Sequence, residues 1–248
     1  MKKLPKIDAL YWVMIISANT IGESGGDLIS QSLGLGYGAG TVALIGLFAL
    51  AVLIAVWTRV QHPSIYWIAI ILSSTAGTTM SDWITRSLSL GYGGGTLAIL
   101  AVMMVVFIAW RIAAPKRSID DPLTRTTEFL YWSAILCSST LGTAFGDFIS
   151  NGTPLGFGGG TLVLIGVLTV IAAMALLTNV SREFCYWLGI IVAHPLGATM
   201  GDYATKEEGL NLGNVMATII LAAIFLTIVA YKVVTTRGVQ VSPVQGTQ

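Results

Sequence analysis

Four aspartates, Asp27, Asp82, Asp147 and Asp202, hold the same position in a segment that occurs four times, each within a long apolar stretch. Each follows a Tyr-Trp pair (Tyr11-Trp12, Tyr66-Trp67, Tyr131-Trp132, Tyr186-Trp187), with the Trp fifteen positions before the Asp. A carboxylate in hydrocarbon is costly unless it faces a protein interior or a water-filled cavity. Four of them in register therefore require a shared polar centre.

The surroundings are those of a membrane. Charged residues make up 10% of the chain and hydrophobic ones 54%, with a mean hydropathy of +0.79; a soluble domain carries about 25% charged residues. The net charge of +1 gives no sign of nucleic-acid binding. Two cysteines, Cys137 and Cys185, both among apolar neighbours, make neither a disulfide framework nor a thiolate site. Lys2, Lys3 and Lys6 before an apolar run imitate a signal peptide, but that run holds Tyr11-Trp12 and Asp27, so it reads as the first repeat and is expected to stay in the mature protein.

The repeat cores align without gaps and end at Thr41, Thr96 and Thr161; the fourth keeps the first half and loses the glycine tail. Each copy holds two apolar segments long enough to span. The expected fold is an all-α polytopic membrane protein with eight transmembrane helices in four parallel two-helix repeats. The odd helices fall at 8–32, 63–88, 127–150 and 183–205, the even ones at 41–58, 95–112, 160–178 and 211–233. Asp27 to Asp147 and Asp82 to Asp202 are both 120 positions, which points to successive duplications. The halves are 1–114 and 123–248, joined by a polar linker at 115–122. Two-helix units preserve orientation, so the repeats are parallel rather than inverted.

Lys2, Lys3, Lys6, Arg59, Arg111, Lys116, Arg117, Arg125, Arg182, Lys232 and Arg237 fall on one side, and only Arg86 and Lys206 on the other. The positive-inside rule then makes both termini cytoplasmic and sets the Tyr-Trp pairs at that interface as an aromatic belt. Fifteen residues at 1.5 Å each place the aspartates about 22 Å further along, in the outer half of the membrane.

Counting from each Asp, positions −5 and −1 are Gly22 and Gly26, Gly77 and Ser81, Gly142 and Gly146, and Gly197 and Gly201. Small-xxx-small faces let transmembrane helices approach closely. The even segments are almost wholly aliphatic, so the odd helices are expected to form an inner ring and the even ones a lipid-facing layer. Gly25-Gly26 and Pro195 are points where an odd helix can break.

Positions −8, −4 and 0 share one helical stripe. They are Asn19, Glu23 and Asp27; Ser74, Thr78 and Asp82; Ser139, Thr143 and Asp147; and His194, Ala198 and Asp202. Glu23 and His194 occur once each, an asymmetry that suits a specific site laid over a packing motif. Carboxylates, hydroxyls and one imidazole make a hard donor set suited to divalent cations and protons, with Mn²⁺ favoured by the single His. The candidate substrate and proton ligands are Asn19, Glu23, Asp27, Thr78, Asp82, Thr143, Asp147, His194 and Asp202. The candidate metal ligands are Glu23, Asp27, Asp82, Asp147, His194 and Asp202. Clustered carboxylates do not all ionise cheaply, so some hold protons until a cation arrives.

The motifs GYG at 36–38 and 91–93 and GFG at 156–158 resemble a potassium-channel filter. About ten residues between helices are too few for a pore helix and filter, so the glycines read as turns and Thr41, Thr96 and Thr161 as N-caps of the even helices.

The four tandem two-helix repeats, the recurring Trp12, Trp67, Trp132 and Trp187 and the G-x(4)-D cores resemble a bacterial membrane-protein family known as a four-fold repeat of unknown function. The resemblance covers about residues 8–233 and implies eight helices in a bacterial inner membrane, without implying an activity. The function expected from the residues is proton-coupled export of a divalent cation as substrate, with Mn²⁺ favoured, no cofactor and no enzymatic catalysis. A carrier of a small organic cation or polar solute, lined by Trp83, Phe148 and Tyr203, is the alternative, followed by a non-transport scaffold. The expected partners are the lipid bilayer, a divalent metal ion and protons, with no nucleic acid; a homo-oligomer is left open.

Overall fold

The structure, a computed structural model, describes residues 5–58, 63–114 and 122–239, without the side chains of 58, 63 and 233–239. Lys2, Lys3, Arg59, Lys116 and Arg117, all of the linker except Pro122, and residues 240–248 lie outside the described residues.

Among the described residues there are eight α-helices and no strand: α1 (Ala9–Asp27), α2 (Tyr37–Thr58), α3 (Pro63–Asp82), α4 (Gly91–Ala113), α5 (Arg125–Gly152), α6 (Gly156–Leu177), α7 (Arg182–Thr205) and α8 (Gly213–Val239). The chain is an all-α polytopic membrane protein. By length and composition α2, α4, α6, α7 and α8 are apolar enough to cross a membrane; the even helices reach a mean hydropathy of 2.3–2.6, and α7 only 1.3. The apolar stretch of α7 is 72% buried, against 11–39% in the even helices. The division of labour follows from sequence: aliphatic helices face lipid, and helices with a polar stripe turn it inward.

α1 packs on α3, α3 on α5, α5 on α7, and α7 back on α1, closing a ring. The even helices clothe this ring with an offset: α2 lies mainly against α3, α4 on α5, α6 on α7, and α8 returns to α1. The four repeat tyrosines meet at one end of the ring, and the aspartates bridge between neighbouring helices at the other. The odd helices therefore run parallel.

Glycine at −5 makes the ring possible. A Cβ on Gly77 would stand 2.6 Å from Ser139 Cβ and 2.8 Å from Thr140 N, and one on Gly142 would stand 2.5 Å from His194 Cβ. Gly22 faces Ser74 and Gly197 faces Asn19 at even closer range. Each −5 glycine thus receives the −8 residue of the next odd helix, around the whole circle.

Two expectations are corrected, and one question that the sequence leaves open is answered. First, the glycine motifs belong to the even helices. α2, α4 and α6 begin at Tyr37, Gly91 and Gly156, about four residues before the threonines. Thr41 and Thr96 do not N-cap; their hydroxyls donate to Tyr37 O (2.7 Å) and Tyr92 O (2.7 Å) one turn back. Thr161 instead donates to Thr199 Oγ1 at 2.9 Å. Positive φ at Gly34, Gly36, Gly91 and Gly156 supplies the turn just before or at each start. Second, the odd helices do not break. α1 passes through Gly25-Gly26 and α7 through Pro195. α1 and α3 instead loosen into π-helical turns, Leu28–Ser32 and Trp83–Ser87, immediately after their aspartates. Such widened turns often accompany functional positions. Third, the Tyr-Trp pairs are no interfacial belt. All four tyrosines are buried, as are Trp67, Trp132 and Trp187. The rings pack edge-on inside the bundle, for example Tyr66 and Trp67 at 5.1 Å between centroids.

Candidate functional site

Polar side chains stack in tiers along the ring. At one end Tyr11, Tyr66, Tyr131 and Tyr186 join their hydroxyls in a closed circle, with O···O distances of 2.7 Å (11–66), 2.9 Å (66–131), 2.9 Å (131–186) and 2.9 Å (186–11). Each hydroxyl has one donor and two acceptor sites, so four of them in a circle satisfy one another without water. Sixteen residues of helix, about 24 Å, separate this circle from the aspartates.

The −8 tier holds Asn19, Ser74, Ser139 and His194, all buried. Next comes −4, where Glu23 is the centre: Thr143 Oγ1 donates to Glu23 Oε2 at 2.7 Å and Thr78 Oγ1 at 3.0 Å. Three repeats thereby converge on the one glutamate. The fourth contributes Ala198, whose small size leaves the tier asymmetric.

The aspartate tier divides into two pairs. Arg86 Nε lies 2.8 Å from Asp82 Oδ1, and another guanidinium nitrogen 3.6 Å from Asp147 Oδ2. Lys206 Nζ lies 2.5 Å from Asp202 Oδ1 and 3.8 Å from Asp27 Oδ2. Each cation stands one helical turn beyond its own aspartate and reaches to a neighbouring helix. Arg86 and Lys206 are 120 positions apart, as are Gln31 and Asn151, which occupy the same +4 position in repeats one and three. Gln31 Nε2 donates to Asp27 Oδ1 (2.5 Å) and Asn151 Nδ2 to Asp147 Oδ1 (3.3 Å). Lys206 lies just past the end of α7. Burial works against its ammonium, but Asp202, Asp27 and Asp147 outweigh it and raise its pKa above the ordinary lysine value.

The middle residues of the glycine motifs cover the two cations. The Arg86 guanidinium lies 5.8 Å from the Tyr37 ring centroid and 5.9 Å from that of Tyr92, and Lys206 Nζ lies 5.3 Å from that of Phe157. Arg86 also donates to the Tyr37 hydroxyl at 3.3 Å. The second glycine of each motif seats the aromatic that follows the next aspartate: a Cβ on Gly38, Gly93 or Gly158 would lie 3.5, 3.7 or 3.4 Å from Trp83, Phe148 or Tyr203. Those three aromatics are about 40% exposed. Their rings thus meet the even helices α2, α4 and α6.

All nine residues singled out from sequence are buried in the ring. They do not form one cluster. Among the described residues, Glu23, Asp27 and Asp202 present carboxylate oxygens within 4.8 Å of one another. Asp82 and Asp147 form the separate Arg86 pair, and His194 stands a tier away. Sequence reasoning missed Gln31, Arg86, Asn151 and Lys206 as members of the site; the i, i+4 spacing of acid and partner was the available signal. It also missed the tyrosine circle, since a hydroxyl beside a Trp at a helix end reads as an interfacial group.

No curated protein and no solved structure matches the chain. One family profile does, in four tandem copies at residues 10–61, 65–114, 130–181 and 185–237. The chain belongs to the family described as Repeat of Unknown Function (DUF347).

Proposed function

We propose that the protein is a proton-coupled transporter of divalent metal cations, with Mn²⁺ favoured and export the working direction. On this reading it resides in the bacterial inner membrane with both termini cytoplasmic. The observation that carries it is the buried triad Glu23, Asp27 and Asp202. Two like charges 4.8 Å apart repel by about 3.5 kcal/mol at an effective dielectric of 20. Either protons or a cation must relieve this. Lys206 supplies one positive charge against three carboxylates, which leaves an excess of two negative charges. One divalent cation matches that excess, and so do two protons, so the site is balanced for their exchange. All-oxygen ligation with hydroxyls in support suits Mn²⁺ or Mg²⁺ over softer ions.

On this mechanism a cation enters past Arg86 and Lys206, takes oxygens from the triad and releases protons. The tyrosine circle holds the opposite end closed. Alternation consists in opening the circle while the aspartate end tightens. The lipid bilayer and protons are then obligatory partners. The test is Mn²⁺ flux into liposomes holding the purified protein, compared with Asp27→Asn/Asp202→Asn. Wild type is expected to move Mn²⁺ with counterflow of protons, and the double variant to lose it. Equal flux from both would reject the site.

A further inference from the structure

Between the carboxylates and the tyrosine circle, the −8 tier has its donors turned away from the ring's interior chemistry and onto main-chain carbonyls. Asn19 Nδ2 donates to Ala193 O at 3.3 Å, Ser74 Oγ to Asn19 O at 3.3 Å and Ser139 Oγ to Ile135 O at 3.0 Å. His194 Nδ1 lies 2.8 Å from Ile190 O. A carbonyl only accepts, so Nδ1 carries the proton and Nε2 presents a lone pair. Asn19 Oδ1 and His194 Nε2 are both left without a partner, in residues 1% and 3% exposed. A buried acceptor with no donor keeps its full desolvation cost. The Ser81 and Ser150 hydroxyls and the Trp132 and Trp187 ring nitrogens are unpartnered too, but each of those can donate; Asn19 Oδ1 and His194 Nε2 only accept, and adjacent helices α1 and α7 contribute them to one tier.

The backbone fixes both groups. Asn19 packs onto Gly197 and bonds the carbonyl next to His194, so the amide oxygen and the imidazole are held by the same stretch of α7. The glycine opposite His194, Gly142, meets the His194 Cβ and the His194–Pro195 backbone with no room for a methyl group, which fixes where that side chain leaves α7. A tier of acceptors without donors is complementary to a positive charge.

We infer that Asn19 and His194 form a second, inner cation station, one that takes a divalent transition-metal ion through His194 Nε2 and Asn19 Oδ1. It rests on the transport reading and adds the step between the triad and the tyrosine circle. The two stations differ in charge: the triad is anionic, whereas the inner ligands are neutral. A neutral site binds more weakly, which suits a station that must release its ion onward. An imidazole ligand also prefers Mn²⁺ or Zn²⁺ over Mg²⁺ and Ca²⁺, so the inner tier adds a selectivity filter that oxygen ligands alone lack.

The probe is Mn²⁺ followed by pulsed electron paramagnetic resonance on the purified full chain. The chain has two histidines, so the measurement uses a His62→Gln background in which His194 is the sole imidazole. Nitrogen coupling to bound Mn²⁺ is expected there. It is expected to survive Glu23→Gln/Asp27→Asn, which disables the triad, and to vanish in His194→Gln. Asn19→Asp, which adds a charge of nearly equal size, is expected to tighten the nitrogen-coupled site at least tenfold. Mn²⁺ bound through oxygen alone in the His62→Gln protein would overturn the inner station while leaving the triad standing. Nitrogen coupling that persists in His194→Gln would also overturn it. No bound Mn²⁺ in any folded form would overturn both readings. Retained melting temperatures establish that each variant is folded.

Discussion

Replacing one tyrosine of the hydroxyl circle should damage the protein more than replacing all four. Tyr66→Phe deletes the 2.7 Å bond to Tyr11 and the 2.9 Å bond to Tyr131. The other three hydroxyls become an open chain with one donor end and one acceptor end unmatched. Each lost bond is worth about 0.5–1.5 kcal/mol net, and a stranded buried hydroxyl costs about 1–3 kcal/mol more. Double-mutant cycles in another membrane protein average about 0.6 kcal/mol per side-chain bond, which favours the low end. The expected loss for Tyr66→Phe is therefore about 2–3 kcal/mol. The quadruple Phe variant removes every polar atom of the circle and strands none. Its rings keep the edge-on contacts with the neighbouring tryptophans. Its net change should be within about 1 kcal/mol of wild type, because deleting both partners of a buried bond is close to neutral. The assay is denaturation in mixed micelles followed by tryptophan fluorescence. A quadruple variant that loses about four times what the single one loses would refute the closed circle as the unit of stability.

Further outcomes follow from other contacts. Lys206→Met strands Asp202 and Asp27 and should cost about 3–5 kcal/mol in micelle unfolding at neutral pH, much of it restored by adding Asp202→Asn. Because the folded pKa of Lys206 is raised, its contribution is whole below the ordinary lysine value of about 10.4 and fades only as pH climbs past it; the stability gap to Lys206→Met should hold from about pH 8 to 10 and close above that. Gly77→Ala drives a methyl group against the Ser139–Thr140 backbone and should cost about 1–3 kcal/mol or more, whereas Gly46→Ala, which meets nothing within 4 Å, should gain up to about 1 kcal/mol in helix propensity. Thr143→Val removes the 2.7 Å bond to Glu23 Oε2. It should destabilise by about 1.5–3 kcal/mol, and Thr143→Ser should recover most of it.

Much of the architecture was legible in the residues. The register of the repeats placed eight helices within a few residues, and glycine at −5 and −1 foretold which four would close on one another. Periodicity reports which residues share a helix face, and that was enough to bury Asn19, Glu23 and all four aspartates. It does not report which helix supplies the neighbour. Arg86 and Lys206 therefore looked like ordinary external loop charges, although each sits one turn past an aspartate that it neutralises. The same gap hid the splitting of the aspartates into two pairs: that division depends on which neighbouring helix Arg86 and Lys206 each reach across to. The even-helix starts were misplaced because Gly91 and Gly156, with φ of 66° and 62°, look like loop residues, yet each begins a helix whose next turn seats an aromatic on glycine.

The offset by which every even helix clothes the following odd one has a consequence for biogenesis. Of the eight described helices α1 leaves the ribosome before the others, yet its outer cover, α8, follows them all. Until then α1, bearing Glu23 and Asp27, has α3 along one flank and an open seam along the other. The insertion machinery must shelter that seam until α7 and α8 emerge. Assembly then finishes in a single act, as the final hairpin, α7 and α8, drops in and locks the first helix.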